Sequence, residues 1–249
     1  MPKRQFSAYE LNQLRKYGLS HLDLTTFGEK PVEHLTGHAP FCGLDFLVDS
    51  SVLIPRLESE QIISMSMNFL KNVSFHLDIA DIGTGSGCLG LSLAYSLLHR
   101  SKRDFDLWLS DISDEALKLT KINTNRLLPD DLSKLHFLKS DLLKSYPPTQ
   151  KFDLVIANLP YIPSSRIFTL DSSVKDYEPL TALDGGPDGT DIINSFLSSV
   201  EKHLKPTFQI ILEIDSEQDI NRFLVPPQFH AEIKKDLFNH PRFLIITSS

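Results

Sequence analysis

"HLDIADIGTGSGCLGLSLAYSLLHR", residues 76–100, decides how this chain is read. Residues 76–83 form an apolar run, broken by Asp78 and Asp81, that ends in a glycine. A short apolar run that stops at a glycine turn reads as a buried strand, and residues 86–100 read as the helix after it. Gly83, Gly85 and Gly87 lie between the two, with Thr84 and Ser86 interleaved. Lacking a Cβ, such residues allow a tight turn and the close approach of a ligand to the main chain. The N–H groups at the start of the helix then face that ligand. Gly-x-Gly-x-Gly alone fits nucleotide, dinucleotide and other sites. It departs from the dinucleotide fingerprint, because the third glycine comes one residue early, and no Gly-Lys-Ser/Thr follows to make a P-loop.

The same alternation continues outward. Residues 105–112, 134–141, 152–158, 208–215, 230–237 and 243–249 read as further strands, and residues 58–70, 113–128 and 188–204 as helices. Ser113, with acids just after it, is a plausible helix start. Strand–helix alternation predicts an α/β fold with a mainly parallel sheet covered on both faces. The last two strands are close enough in sequence to be an antiparallel pair. Upstream, residues 37–55 mix turn residues with alternating Phe41, Leu44, Phe46 and Val48, which predicts a β-hairpin. Residues 1–36 read as a short helical segment, with Leu11, Leu14, Tyr17 and Leu19 as an imperfect apolar stripe. Three units are expected: an N-terminal segment (1–36), a hairpin connector (37–57) and an α/β domain (58–249).

Composition narrows the function. The chain has 249 residues, 41% hydrophobic and 23% charged, within the range of a globular domain with a small extension. A net charge of −7 is not the footprint of a protein whose affinity rests on many phosphate contacts, so direct nucleic-acid binding is not expected. Cys42 and Cys88 are too few for a disulfide framework and fit no metal spacing, so they read as reduced thiols of a cytoplasmic protein. His21, His34, His38, His76 and the other histidines form no metal-ligand spacing, and no metal is expected. Lys3 and Arg4 are not followed by an apolar core, so no signal peptide is expected, and no run is long enough for a membrane helix.

The ends of the strands are where chemistry is expected, because open α/β sheets bind ligands there. Asp111 ends the second strand, where a carboxylate can accept both ribose hydroxyls of a nucleoside. Asp141 ends the third and can face an adenine amine. Asn158 ends the fourth, in "NLPYIP" (158–163). Its side-chain oxygen can accept one N–H of a flat amino group, and a main-chain carbonyl such as that of Leu159 the other. Pro160 forces Leu159 into an extended conformation and so fixes where that carbonyl points. Tyr161 can lie over the flat group. Such a turn orients a poor, conjugated nitrogen nucleophile.

These motifs together resemble the release factor glutamine methyltransferases, the HemK/PrmC-like branch of the class I S-adenosylmethionine-dependent methyltransferases. The resemblance spans residues 31–249. "GEKPVEHLTGHAPFCGLDFLVDSSVLIPRLESE" (28–60) is similar to that family's connector, and "DIGTGSGCLGLSLA" (81–94) to its cofactor loop. "NLPYIP" stands where the family has Asn-Pro-Pro-Tyr-Ile, and "YEPLTALDGGPDG" (177–189) resembles its Glu-Pro and Gly-Gly segment. "ILEIDSEQ" (211–218) and "KKDLFNHPRFLII" (234–246) resemble its last strands. The resemblance implies a Rossmann-like seven-stranded sheet whose last pair is antiparallel. It implies that Gly83, Thr84, Gly85, Ser86 and Gly87 cradle the methionine part of S-adenosylmethionine and that Asp111 holds its ribose. Asp141 and Leu142 would border the adenine, and Asn158, Leu159, Pro160 and Tyr161 would bind the target glutamine of a Gly-Gly-Gln segment in a peptide chain release factor.

The chain also departs from the family. Leu159 replaces the first proline, as in the small-subunit rRNA adenine dimethylases. Leu57, Ser59 and Asp215 stand where the family has Pro, Thr and usually Gly. The segment before the connector is shorter than the helical domain the family uses to dock its substrate. Two further readings stay open: an amino-methyltransferase acting on a ribosomal-protein glutamine or an adenine in nucleic acid, and an inactive cofactor-binding homologue.

Overall fold

A computed structural model describes residues 5–22, 26–73 and 76–248. Lys3, Arg4 and the final Ser249 lie outside these residues. The N-terminal segment contains two short helices, α1 (Ala8–Lys16) and α2 (Val32–Thr36). Ser7 and Glu10 start α1 as a capping box, each side chain taking the other's main-chain N–H, at 3.2 and 2.8 Å. The apolar stripe is narrower than its spacing suggests: Leu14 is buried, whereas Leu11 is 40% exposed. Tyr17 makes the contact instead, with its ring stacked 4.0 Å from that of His38 and its hydroxyl donating to Asp45 at 2.6 Å.

The connector hairpin pairs β1 (His38–Phe41) with β2 (Leu44–Leu47) in antiparallel register. Its two-residue turn, Cys42 and Gly43, has both φ angles positive (51° and 77°), as a tight hairpin with the native twist requires. Ala39, Val48, Val52 and Ile54 pack on Ala116 and Leu119. Phe41 is fully buried, edge-on to Phe46.

The α/β unit follows the predicted alternation. Its elements are α3 (Glu60–Leu70), β3 (Leu77–Ile82), α4 (Cys88–Ser96), β4 (Phe105–Asp111), α5 (Asp114–Leu127), β5 (Leu135–Lys139) and β6 (Phe152–Ala157). After these come α6 (Ser172–Lys175), α7 (Asp191–Val200), β7 (Leu204–Glu213), β8 (Phe229–Lys235) and β9 (Pro241–Ser248). The sheet has seven strands in the order β5-β4-β3-β6-β7-β9-β8. β9 is antiparallel to both β7 and β8, so it lies between them rather than at the edge. Neighbouring residues of one strand feed opposite faces. Ile79, Leu154 and Ile156 face Ile62, Leu89 and Leu93 of α3 and α4. Ala80, Val155 and Ala157 face Ile193, Phe196 and Val200 of α7.

Strand order runs one way from β3 to β5 and the other way from β6, so the crevice between β3 and β6 is the switch point of the sheet. All six residues of β6 are buried, and Asn158 is the first residue beyond them. Among the described residues, no helix is long and apolar enough to cross a membrane.

Candidate active site

A cavity of about 560 Å³ opens at the carboxyl ends of β3, β4, β5 and β6. Gly83, Thr84, Gly85, Ser86, Asp111, Asp141, Leu142, Asn158, Leu159 and Pro160 all line it. Gly87 stands one step behind, as the N-cap of α4 at φ 84°.

The glycine loop is fixed by its main chain. Gly83 and Thr84 donate to the Ser110 carbonyl at 2.8 and 2.9 Å. The Gly85 N–H goes to Asp111 Oδ2 at 2.9 Å, and the Gly85 carbonyl accepts from Thr120 Oγ1 at 2.7 Å. Asn123 Nδ2 reaches the carbonyls of Ser86 and Leu47, at 2.9 and 3.0 Å, which ties the connector hairpin to this loop. Gly85 has φ 58°, and a Cβ added there would meet nothing within 4 Å. Its main chain therefore borders open cavity, a cradle that any side chain would begin to fill.

Beneath the loop lies Asp81, 1% exposed, which was not singled out in the sequence. Its Oδ2 accepts from Thr84 Oγ1 at 2.7 Å and from the Gly90 N–H at 2.9 Å. Burial pushes its carboxyl up to about 6 despite those two donors. The folded protein thus keeps this proton up to about pH 6, whereas the unfolded chain releases it near the ordinary value of 3.8. Between the two values the folded state binds more protons, so this group's contribution to stability falls as pH rises. Asp81→Asn keeps an oxygen for both donors and removes the ionisation. Urea unfolding should therefore show the variant gaining on the wild type, by on the order of 2 kcal/mol between about pH 4.5 and about pH 7. A pH-independent difference would contradict the assignment.

Asp111 ends β4 with Oδ1 on the Ser113 N–H and Oδ2 on the Gly85 N–H, both at 2.9 Å. The Ile112 N–H is a third main-chain donor, so of about four lone-pair sites the carboxylate keeps one for a further donor. Burial raises its carboxyl above the usual range. Ile112 beside it is 59% exposed and also lines the cavity. Asp141 is solvent-exposed and paired with Lys144 at 2.5 Å. Leu142 adopts the left-handed conformation at φ 52°, unusual for its type.

The turn after β6 is braced from three sides. Leu159 is 4% exposed, with Cδ2 3.2 Å from where a Cβ of Gly83 would be, so it packs across the glycine loop. The second brace is the Gly-Gly segment. Ile162 N donates to the Leu183 carbonyl at 3.1 Å, and Gly185 N to the Ile162 carbonyl at 2.9 Å. A Cβ on Gly185 would sit 2.7 Å from the Pro160 carbonyl oxygen, which explains a glycine there. Gln218 is the third brace, with Nε2 on the carbonyls of Tyr161 and Gly189, at 3.2 and 2.9 Å. Asp215, the departure from the family pattern, meets Arg166 through both oxygens, at 3.2 and 2.5 Å.

Tyr161 corrects an expectation. It does not line the cavity: its ring packs against the core cluster of α7. Its hydroxyl donates to Glu213 Oε1 at 2.9 Å. The ring turns inward because Glu213, 2% exposed at the end of β7, is a buried carboxylate that needs donors. Ser59 supplies the second, to Oε2 at 2.5 Å, and Asn158 Nδ2 lies 3.5 Å from the same Ser59 Oγ. Across the cavity, Arg56 of the connector pairs at 2.6 Å with Glu178, which is 5% exposed. Ser59, Glu213 and the Arg56–Glu178 pair are partners that spacing did not reveal. The available signal was an acid closing an otherwise apolar strand.

The opposite ends of the strands hold a cluster that sequence spacing did not suggest. His76, Asp78 and Asp106 bring potential ligand atoms within 4.8 Å of one another. These groups are already engaged: Lys205 lies 2.6 Å from Asp78, and His76 sits between Asp104 and Asp106, both at 2.9 Å. The cluster forms an ion-pair network.

The family model described as the methyltransferase small domain matches residues 61–169. The release factor glutamine methyltransferase of Clostridium acetobutylicum is 34% identical over 242 residues, which cover 95% of this chain and 81% of that protein. The chain belongs to the release factor glutamine methyltransferase family. The protein of the same name from Leptospira interrogans agrees, at 32% identity over 95% of this chain and 82% of its own length. In fold, the chain is similar to a ribosomal protein L11 methylase from Lactobacillus delbrueckii subsp. bulgaricus. The TM-score is 0.51 at 20% identity, over 78% of this chain and 79% of that one. The connector and the Glu-Pro segment meet in the Arg56–Glu178 pair, and Arg56 and Pro179 from the two segments line one cavity.

Proposed function

We propose that this protein methylates the side-chain amide nitrogen of glutamine in a Gly-Gly-Gln segment of a peptide chain release factor, with S-adenosylmethionine as donor. One observation carries the reading: Asn158 and the open main chain of Gly85 line one and the same switch-point cavity. Family membership supports both the chemistry and the substrate.

S-adenosylmethionine supplies an electrophilic methyl group on a positively charged sulfur. The residues present suit it. Gly85 leaves room for its amino-acid portion, Asp111 offers its remaining acceptor site to the ribose, and Ile112 and Leu142 offer apolar walls beside Asp141 for the adenine. The target nitrogen is a poor nucleophile, because its lone pair is conjugated with the carbonyl. What the protein contributes is placement. Asn158 Oδ1 accepts one N–H of the target, and a main-chain carbonyl of the turn, which we assign to Leu159, accepts the other. Pro160, Gly185 and Gln218 keep that turn still, and Tyr161 supports it from behind rather than covering the target.

The test is to incubate the protein with methyl-labelled S-adenosylmethionine and a purified release factor, then to locate the label by mass spectrometry. Label is expected on the glutamine of Gly-Gly-Gln, and none when that glutamine is replaced by alanine. Label on a ribosomal protein or on adenine, with none on the release factor, would reassign the substrate. Donor binding without transfer to any of them would contradict the activity itself.

A further inference from the structure

We propose that Ser59 and Glu213 are positioning residues that decide which end of the Asn158 amide faces the target. The inference rests on the reading that Asn158 receives the substrate nitrogen.

It follows from counting protons. A hydroxyl has one hydrogen to donate. Ser59 lies at the N-cap position of α3, where a serine ordinarily accepts a main-chain N–H, yet its side chain makes no capping bond. Its hydrogen goes instead to Glu213 Oε2 at 2.5 Å. The single hydrogen of the Tyr161 hydroxyl goes to Oε1 at 2.9 Å. With both hydrogens committed to the carboxylate, Ser59 Oγ has only lone pairs left for Asn158. The amide must therefore turn its NH2 toward Ser59, where Nδ2 lies 3.5 Å away, and leave Oδ1 as its acceptor for the cavity. The opposite orientation would present N–H donors to a target that itself brings N–H donors. Glu213 thus acts through two hydrogen bonds on Asn158, the residue that meets the substrate.

Protonating Glu213 would break this chain, because the carboxyl would become a donor to Ser59 or Tyr161 and free a hydroxyl hydrogen. Around Glu213 are Ser59, Tyr161, the Arg242 guanidinium, which favours the ionised form, and the Glu58 carboxylate, which opposes it. Burial outweighs these groups and raises the Glu213 carboxyl above its usual range.

The test compares wild type, Ser59→Ala and Ser59→Thr. Threonine keeps the hydroxyl, so it should restore what alanine loses. For Ser59→Ala we expect kcat on a release factor to fall about 10-fold with the KM for S-adenosylmethionine unchanged, and the acid limb of kcat to flatten. Independently of activity, the side-chain NH2 resonances of Asn158, assigned by their loss in Asn158→Ala, should shift in Ser59→Ala and stay in place in Ser59→Thr. In the wild type they should titrate along the acid limb. Resonances that ignore Ser59→Ala, or equal loss of kcat in alanine and threonine variants, would overturn the inference. Should the wild type methylate no release factor, the functional reading fails, while the resonances still decide whether Ser59 orients the amide.

Discussion

Asn158→Ala is expected to lower turnover by about 10²-fold to 10⁴-fold while leaving the affinity for S-adenosylmethionine nearly unchanged. The substitution removes the acceptor that orients the target nitrogen but none of the contacts that shape the glycine loop. Its neighbours stay in place, because Leu159 packs across Gly83 and the Pro160 carbonyl lies against Gly185. The side chain is at the cavity rim rather than in the core, so folding should be unaffected. Single-turnover kinetics with calorimetric titration of the donor separates the two effects. Lost donor affinity with surviving turnover would move Asn158 from the substrate side to the cofactor side.

Asp111→Ala should give the reverse pattern. Two roles meet in this carboxylate: it lines the cavity with an acceptor site to spare, and its Oδ2 fixes the Gly85 N–H at 2.9 Å. Hydrogen bonds to a charged group are worth roughly 1.5–3 kcal/mol, so donor affinity should fall by about 10-fold to 100-fold. At saturating donor, kcat should change only a few-fold. Asp111→Asn keeps one acceptor oxygen and should fall between the two. Unchanged donor affinity in the alanine variant would remove Asp111 from the site.

How much of this was legible beforehand depends on the range of the interactions. The strand–turn–helix at 76–100 could be read because apolar runs and glycines are local signals, and α4 begins at Cys88 because Ser86 and Gly87 are spent on the turn. Asp111 and Asn158 could be placed because strand ends share one rim. The direction of Tyr161 could not, since it is set by Glu213, 52 positions away in sequence. Nor could the hydroxyl of Ser59, whose partner lies 154 positions away. The place of β9 between β7 and β8 depends on sheet pairing, whereas sequence proximity suggested only that the last two strands pair. The His76 network likewise arises from parallel register, which sets Asp78 beside Asp106.

The most direct measurement is a crystal structure of the protein with S-adenosylhomocysteine and a peptide containing Gly-Gly-Gln. The account predicts the glutamine NH2 in the switch-point cavity, one hydrogen on Asn158 Oδ1 and the other on the Leu159 carbonyl, with Asn158 Nδ2 turned toward Ser59. A glutamine seated away from Asn158, or an Asn158 amide that offers its NH2 to the peptide, would contradict it.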